Sequence, residues 1–250
     1  MTLKINALET RRFGMVCAGI DGMASQLPDL AEVNRQAQMQ GVAMISVRVD
    51  VSALDRVHTL EADGYRLMDT LVYYNGNLAQ DRPALSLPTG ISFRVATPQD
   101  AEAVGSLARL CFKNYIGHYH SDPRLDSKAA DAAYAEWAER SVRQVSARDP
   151  VFLVLQGDDI AGFLTTRTRA DDAHEFVLNG VAPEYQGRGL YAALLNAAAR
   201  MIDAEAQGQE PQALLSISTQ INNYGVQRVW ARMGLVHSQS FYTFHKWFTL

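Results

Sequence analysis

A chain of 250 residues with 48% apolar and 20% charged side chains and a net charge of −4 has the balance of an ordinary globular protein, which excludes a disordered or fibrous one. The mild negative charge gives no reason to expect nucleic acid, and two cysteines, Cys17 and Cys111, are too few for a disulfide framework. No apolar run approaches the roughly 20 residues of a membrane span, the N-terminus lacks a secretory apolar region, and no Cys or His spacing asks for a metal; the expectation is a cytoplasmic protein with no metal and no membrane or nucleic-acid partner.

Residues 1–80 read as a small α/β unit. The pattern predicts a strand over 12–18, a helix over 27–40 stopped by Gly41, and an alternating strand over 42–49. A short helix over 52–64 and a strand over 65–74 follow, turned by Asn75-Gly76. Nothing here has the glycine spacing of a phosphate loop. Leu78 to Gly90 holds Pro83, Pro88 and little periodicity, which sets a linker over 81–90 before a second unit over 91–250.

The second unit opens with a strand over 91–96. Thr97-Pro98-Gln99-Asp100 has the N-cap, first-turn proline and acidic residue of a helix start, and Ala103, Val104, Leu107, Leu110 and Cys111 fall on the apolar side of that helix. Residues 112–125 break the period and gather Tyr115, His118, Tyr119, His120, Asp122 and Arg124 in one loop. Aromatic faces suit stacking on a ring, and His, Asp and Arg suit hydroxyls and phosphate. A helix over 127–146, with Ala130, Ala133, Tyr134, Trp137, Val142 and Val145 as its apolar stripe, leads to a hairpin of strands 150–156 and 160–167 about Gly157-Asp158-Asp159.

The stretch 176–191, FVLNGVAPEYQGRGLY, carries the strongest signal. An apolar strand ends near Ala182 because Pro183 lacks the N–H to continue a ladder, and Gln186-Gly187-Arg188-Gly189 follows at the start of a helix. Glycines let successive backbone N–H groups turn on an anion at the positive end of the helix dipole, which is the pattern of a pyrophosphate seat. Neither the dinucleotide nor the ATP glycine spacing is present. A strand over 212–219, a helix closed by Gly234 and a strand over 239–248 end the chain.

Gln186-x-x-Gly189, preceded by Val181-x-Pro183-Glu184-Tyr185, closely resembles the acyl-CoA-binding motif of the GCN5-related N-acetyltransferase (GNAT) superfamily. Asn223, Val226, Trp230 and Gly234 resemble that family's Asn-x-x-Ala-x-x-x-Tyr-x-x-x-Gly-Phe segment. Two positions depart: Tyr191 stands where the loop pattern has a small residue, and Trp230 where the second segment has a tyrosine near the thiol. The resemblance implies an α/β fold with a mixed, mostly antiparallel sheet flanked by helices, in which strand 176–181 splays from strand 214–219 and admits the pantetheine arm. It further implies that Asn179, Val181, Gln186, Gly187, Arg188, Gly189, Leu190, Tyr191 and Asn223 bind acyl-CoA, the cosubstrate. Glu175 and His174, just before the splay, rank first as the base. An indole N–H donates a hydrogen bond but not a proton near neutral pH, so the acid falls to Tyr224, Tyr242 or water, or is not needed. Tyr115, His118, Tyr119, His120 and Arg124 would line the acceptor pocket.

Residues 1–80, with Phe13-Gly14, the 50–55 region and Gly64-Tyr-Arg-Leu-Met-Asp69, are similar to the truncated copy of the fold that precedes the complete one in nucleotide-sugar N-acetyltransferases such as TDP-fucosamine acetyltransferase. An unrelated α/β lobe is the bland reading of the same pattern. The resemblance implies transfer of an acetyl or short acyl group from acyl-CoA to the amine of a nucleotide-linked amino-deoxysugar. Acetylation of a simpler amine, amino acid or antibiotic, and a non-catalytic acyl-CoA sensor, stand beside it, and a homodimer is left open.

Overall fold

The computed structural model describes residues 3–24, 26–77, 87–169, 173–205 and 214–249, so most of the linker expected over 81–90 lies outside the described residues. The chain begins with β1 (Leu3–Ile5), α1 (Ala7–Phe13), β2 (Cys17–Ile20), α2 (Leu30–Met39), β3 (Met44–Asp50), α3 (Leu54–Ala62) and β4 (Arg66–Asn77). Then come β5 (Ile91–Val95), α4 (Ala101–Cys111), a one-turn α5 (His118–Ser121), α6 (Ser127–Arg143), β6 (Val151–Gln156), β7 (Asp159–Thr168) and β8 (His174–Val181). It closes with α7 (Leu190–Glu205), β9 (Leu214–Gln220), α8 (Tyr224–Arg232) and β10 (Val236–Trp247).

Among the described residues all ten strands belong to one sheet, in the order β1-β2-β3-β10-β4-β9-β8-β7-β6-β5. Its pairs are antiparallel except β2–β3 and β8–β9, which gives the mixed, mostly antiparallel α/β sheet expected from the sequence. The last strand does not stay with its own unit. β10 inserts between β3 and β4, running from Phe241↔Asp50 to Trp247↔Met44 on one edge and from Val236↔Asn75 to His245↔Arg66 on the other. The first and second units therefore share one sheet.

Alternation along β3 and β10 assigns the two faces. Ile45, Val47, Val49 and Phe244 are buried on one face with Val33 of α2 and Val57 and Leu60 of α3, each such side chain contributing about 1.5–3 kcal/mol on burial. The opposite residues, Ser46, Arg48, Thr243 and His245, look toward α1, α5 and α6. At the far end of the sheet α7 and α8 pack on one face, and α4 and α6 on the other.

Three local expectations need correction. The strand set at 12–18 is in fact the end of α1 and the start of β2: Asn6 accepts from the Glu9 N–H at 3.1 Å to cap the helix, and Gly14 stops it at φ 66°. A seven-residue helix shows too little period to be seen. In α4 the buried side is Ala101, Val104, Gly105, Leu107 and Ala108, whereas Ala103 and Leu110 are exposed. The Thr97–Asp100 capping box forms, but Pro98–Asp100 makes a 3-10 turn, and the helix crosses α6 on its small residues; a Cβ on Gly105 would stand 3.2 Å from the Glu139 Cβ. Trp137, read as core, is partly solvent-exposed on α6 and lines a cavity.

Candidate active site

β8 and β9 pair only from His174↔Leu215 to Phe176↔Ile217, and beyond that point the two strands diverge. On the other edge of β8, Leu178 N–H donates to Thr165 Oγ1 at 3.0 Å and Ala182 N–H to the Ala161 carbonyl at 2.9 Å. Strand alternation then turns the N–H groups of Asn179 and Val181 toward the gap. Two cavities open from this gap, one on each side.

The first is a cleft of about 660 Å³ between the end of α4, β8, the glycine loop and α8. Gly187 and Gly189 sit at φ 76° and 79°, with open space where a side chain would stand, and α7 starts at the next residue. Sixteen residues of helix aim their N-terminal N–H groups and positive dipole end at that spot, so the loop fits a pyrophosphate. Gln186 Nε2 donates to the Val181 carbonyl at 3.0 Å, tying the loop to β8, while Leu190 is buried in the core and anchors the helix. Arg188 is exposed and lies over the Tyr185 ring at 5.6 Å. Gly180 lets α4 touch β8, since a Cβ there would come within 2.8 Å of the Cys111 Cβ. Burial, helped by the Glu184 carboxylate, pushes the Cys111 thiol up to about 12, so it is no nucleophile near neutral pH.

The two unusual positions meet at the wall of this cleft, Tyr191 lining it and Trp230 behind. Trp230 is fully buried and its Nε1–H donates to the Tyr191 hydroxyl at 3.0 Å; that hydroxyl donates to Asn179 Oδ1 at 2.6 Å. Tyr191 points along the cleft toward β8 and does not crowd the phosphate end. Burial raises its pKa strongly, against the opposing hydrogen bond from Trp230, so the phenol stays protonated. Asn223 Nδ2 donates to Thr219 Oγ1 at 3.0 Å and also faces the cleft. Tyr224, 63% exposed, does not line it, because the first turn of α8 points that side chain outward.

The second cavity, also about 660 Å³, is floored by β2, β3, β10, β4, β9, β8 and the end of β7 and roofed by α1, α5 and α6. Tyr115 lines both cavities, its hydroxyl 3.5 Å from Thr219 Oγ1. Glu175 lines the second, with Arg167 donating to its Oε2 at 2.7 Å, whereas His174 lines neither and lies 3.4 Å from Thr168 Oγ1.

His118 and Tyr119 reach this cavity; His120 and Arg124 do not. His120 turns to Asp131 at 3.1 Å, and Arg124 is exposed over the Trp247 ring at 5.4 Å. Neither stands where an acceptor-holding role needs it: α5 winds one turn inside the expected loop and turns His120 away, and Arg124 follows beyond the end of α5. Behind His118 runs a buried chain: Asp122 Oδ2 accepts from His245 Nδ1 at 2.8 Å and from Trp247 Nε1 at 2.7 Å, and His245 Nε2 lies 2.9 Å from His118 Nδ1. Burial alone would raise the Asp122 carboxyl, but those hydrogen bonds hold it below its ordinary value, fixing the proton on His245 Nδ1. One proton lies between His245 Nε2 and His118 Nδ1. Burial first, then Arg48 and the neighbouring imidazoles, holds His118 well below its ordinary pKa, and it is neutral.

Glu9, Arg12, Arg48, Gln220 and Thr243 also line this cavity, and no motif or spacing in the chain marks them. They stand on α1, β3, β9 and β10 and meet only through the strand order.

Residues 112–235 match the sequence model of the acetyltransferase (GNAT) family. The spore coat polysaccharide biosynthesis protein SpsD of Bacillus subtilis (strain 168) is 27% identical over 215 residues, covering 84% of this chain and 68% of that protein. Among solved structures, a GCN5-related N-acetyltransferase from Sphaerobacter thermophilus superposes with a TM-score of 0.63 at 18% identity, covering 98% of this chain and 76% of its own. A tandem GNAT protein from the clavulanic acid biosynthesis pathway gives 0.63 at 14% identity, covering 94% and 76%. These two likenesses concern the fold. Among the described residues no helix is long and apolar enough to cross a membrane.

Proposed function

Because residues 112–235 carry an acetyltransferase domain of the GNAT family, the chain is an acyl-CoA-dependent N-acyltransferase, and we propose that its acceptor is the amine of an amino-deoxysugar carried on a nucleotide. The observation that carries this reading is the pair of cavities meeting at the β8–β9 splay, one with a glycine cradle and the other rich in arginines and aromatic rings. A relative named for polysaccharide biosynthesis supports a sugar acceptor. We further propose that residues 1–80, after a linker over 81–90, form the lobe that completes the acceptor side of the 91–250 domain.

In this reading acyl-CoA lies in the cleft with its pyrophosphate on the N–H groups of 187–190, and the Asn179 and Val181 N–H groups hold the arm and the thioester oxygen. The amine nitrogen attacks the carbonyl carbon and the C–S bond breaks. The surplus proton on nitrogen passes through water to Glu175, which stands at the start of the splay, and the sulfur takes a proton from solvent. Tyr191 donates a hydrogen bond to the departing sulfur by turning its single proton away from Asn179 while still accepting from Trp230. It does not transfer that proton, because burial keeps the phenol a far weaker acid than the thiol.

Thiol release read with a chromogenic disulfide over a panel of acceptors tests the reading. A nucleoside-diphosphate amino sugar is expected to exceed the free amino sugar and simple amines in kcat/KM by about 100-fold or more. Glu175→Gln should lower kcat by about 100-fold or more with the KM for acetyl-CoA unchanged. Equal rates over the panel would favour a small-amine acetyltransferase. Binding of acetyl-CoA with no thiol release from any acceptor would favour a sensor.

A further inference from the structure

Four side chains that line the second cavity carry buried polar atoms with no hydrogen-bond partner among the described residues: Glu9 Oε2, Arg12 Nε, Gln220 Oε1 and Thr243 Oγ1. Glu9, Gln220 and Thr243 are 5%, 5% and 1% exposed, so water does not satisfy them freely. Their other atoms are already engaged. Tyr119 donates to Glu9 Oε1 at 2.7 Å, Gln220 Nε2 donates to Asp69 Oδ2 at 3.2 Å, and the Arg12 guanidinium reaches Glu136 at 3.5 Å. The atoms left over are two acceptors, one hydroxyl and one N–H. A ligand that satisfies such a set must bring several donors and at least one acceptor in a small volume, which is what the hydroxyls of a sugar ring do.

The charge on the same walls points to what the ring is attached to. Arg12, Arg48, Arg140 and Arg167 line the cavity against Glu9 and Glu175, an excess of two cations. Arg167 is paired with Glu175, whereas the side chain of the exposed Arg48 forms no hydrogen bond or ion pair among the described residues. Arg48 is on β3, which is separated from β9 by β10 and β4. At about 4.8 Å per strand that is roughly 14 Å from the edge of the splay, a span that fits a hexose plus a diphosphate and overshoots a simple amine.

We propose that the N-terminal lobe and the last strand form a hydroxyl- and phosphate-reading subsite, in which Glu9, Arg12, Gln220 and Thr243 take the ring hydroxyls of a sugar nucleotide and Arg48 takes its phosphate. This rests on the acyltransferase reading only for the amine's position at the splay. Glu9 and Arg12 enter through the capped α1, and Thr243 through the insertion of β10 beside β3, so the subsite exists only because the two units share a sheet. The subsite is a specificity device: its groups contact the acceptor away from the reacting carbon and act on ground-state binding.

Binding can be separated from chemistry with a nucleoside-diphosphate hexose that has no amine. Calorimetry on the whole protein should detect its binding, weakened about tenfold or more by Glu9→Gln, which keeps the Tyr119 contact, and by Arg48→Gln, whose exposed side chain is not needed for folding. Thr243→Val should cost the hydroxylated probe more than its ring-deoxy analogue, so enzyme and ligand changes are non-additive. A wild-type protein that fails to bind the probe, or variants that bind it equally well while folded by circular dichroism, would overturn the subsite. Those results leave the acyltransferase reading untouched, since thiol release from amines is measured separately.

Discussion

The two cavities have the same volume, about 660 Å³, and are built in opposite ways. The cleft proposed to hold acyl-CoA is largely local: β8, the loop after it and the start of α7 are continuous in sequence, and α8 closes the other side. The second cavity, proposed to take the acceptor, draws side chains from seven strands and three helices that no sequence spacing links. A ligand whose phosphate is read by backbone N–H groups leaves a compact pattern of glycines, whereas one read by side chains across a sheet leaves scattered ones. Substitutions in the first cavity should therefore act on cosubstrate binding and turnover, and those in the second on acceptor choice.

The largest effect is expected at Gly189. At φ 79° a substituent is strained whatever the space, and an aspartate adds negative charge beside the pyrophosphate seat. Gly189→Asp should weaken acetyl-CoA binding by about 100-fold or more by calorimetry and leave the acceptor subsite intact; a folded variant with unchanged affinity would break the assignment of the cleft. Next comes the Trp230–Tyr191–Asn179 chain. Tyr191→Phe should lower kcat by about tenfold with both KM values unchanged, because the hydroxyl acts on the departing sulfur, and Trp230→Phe should cost only a few-fold. An unchanged kcat for Tyr191→Phe would remove the hydroxyl from the mechanism.

A smaller effect concerns the acceptor side through stability. His118 is buried beside Arg48, His245 and His120 with its pKa depressed, so below about pH 6.5 the unfolded chain takes up a proton that the folded chain refuses. Stability should fall as pH drops through that range, and urea melts of His118→Gln should show a flatter dependence. The smallest effect is expected at Arg124: Arg124→Ala should change the acceptor KM by less than about twofold, since its guanidinium rests on Trp247 outside the cavity. A large rise would mean that this arginine reaches the acceptor and would blur the division between the two regions.

How much of this was legible follows the same line. The capping box at Thr97–Asp100, the stop at Gly234 and the strand–loop–helix of 176–191 are set by neighbours in sequence, and the structure has them where the pattern put them. The passage of β10 between β3 and β4 is a non-local pairing, and with it the positions of Thr243 and His245 were hidden. Tyr191 and Trp230 each looked like a departure. Only the 3.0 Å contact between them shows that the larger residue in the loop supplies a hydroxyl beside the position where tyrosine is absent. The segment 112–125 is dense in polar and aromatic groups, but a four-residue helix within it decides which side chains face inward, and propensity does not resolve so short a turn.

The central claim is that acyl-CoA and a nucleotide-linked amino sugar meet at the β8–β9 splay. The most direct test follows acetyl transfer from acetyl-CoA to a nucleoside-diphosphate amino sugar by mass spectrometry, with the free amino sugar as control. The account predicts an N-acetylated nucleotide sugar formed together with free CoA, at a kcat/KM about 100-fold or more above the control. Equal acetylation of the two acceptors, or no acetylated product in the presence of bound acetyl-CoA, would contradict it.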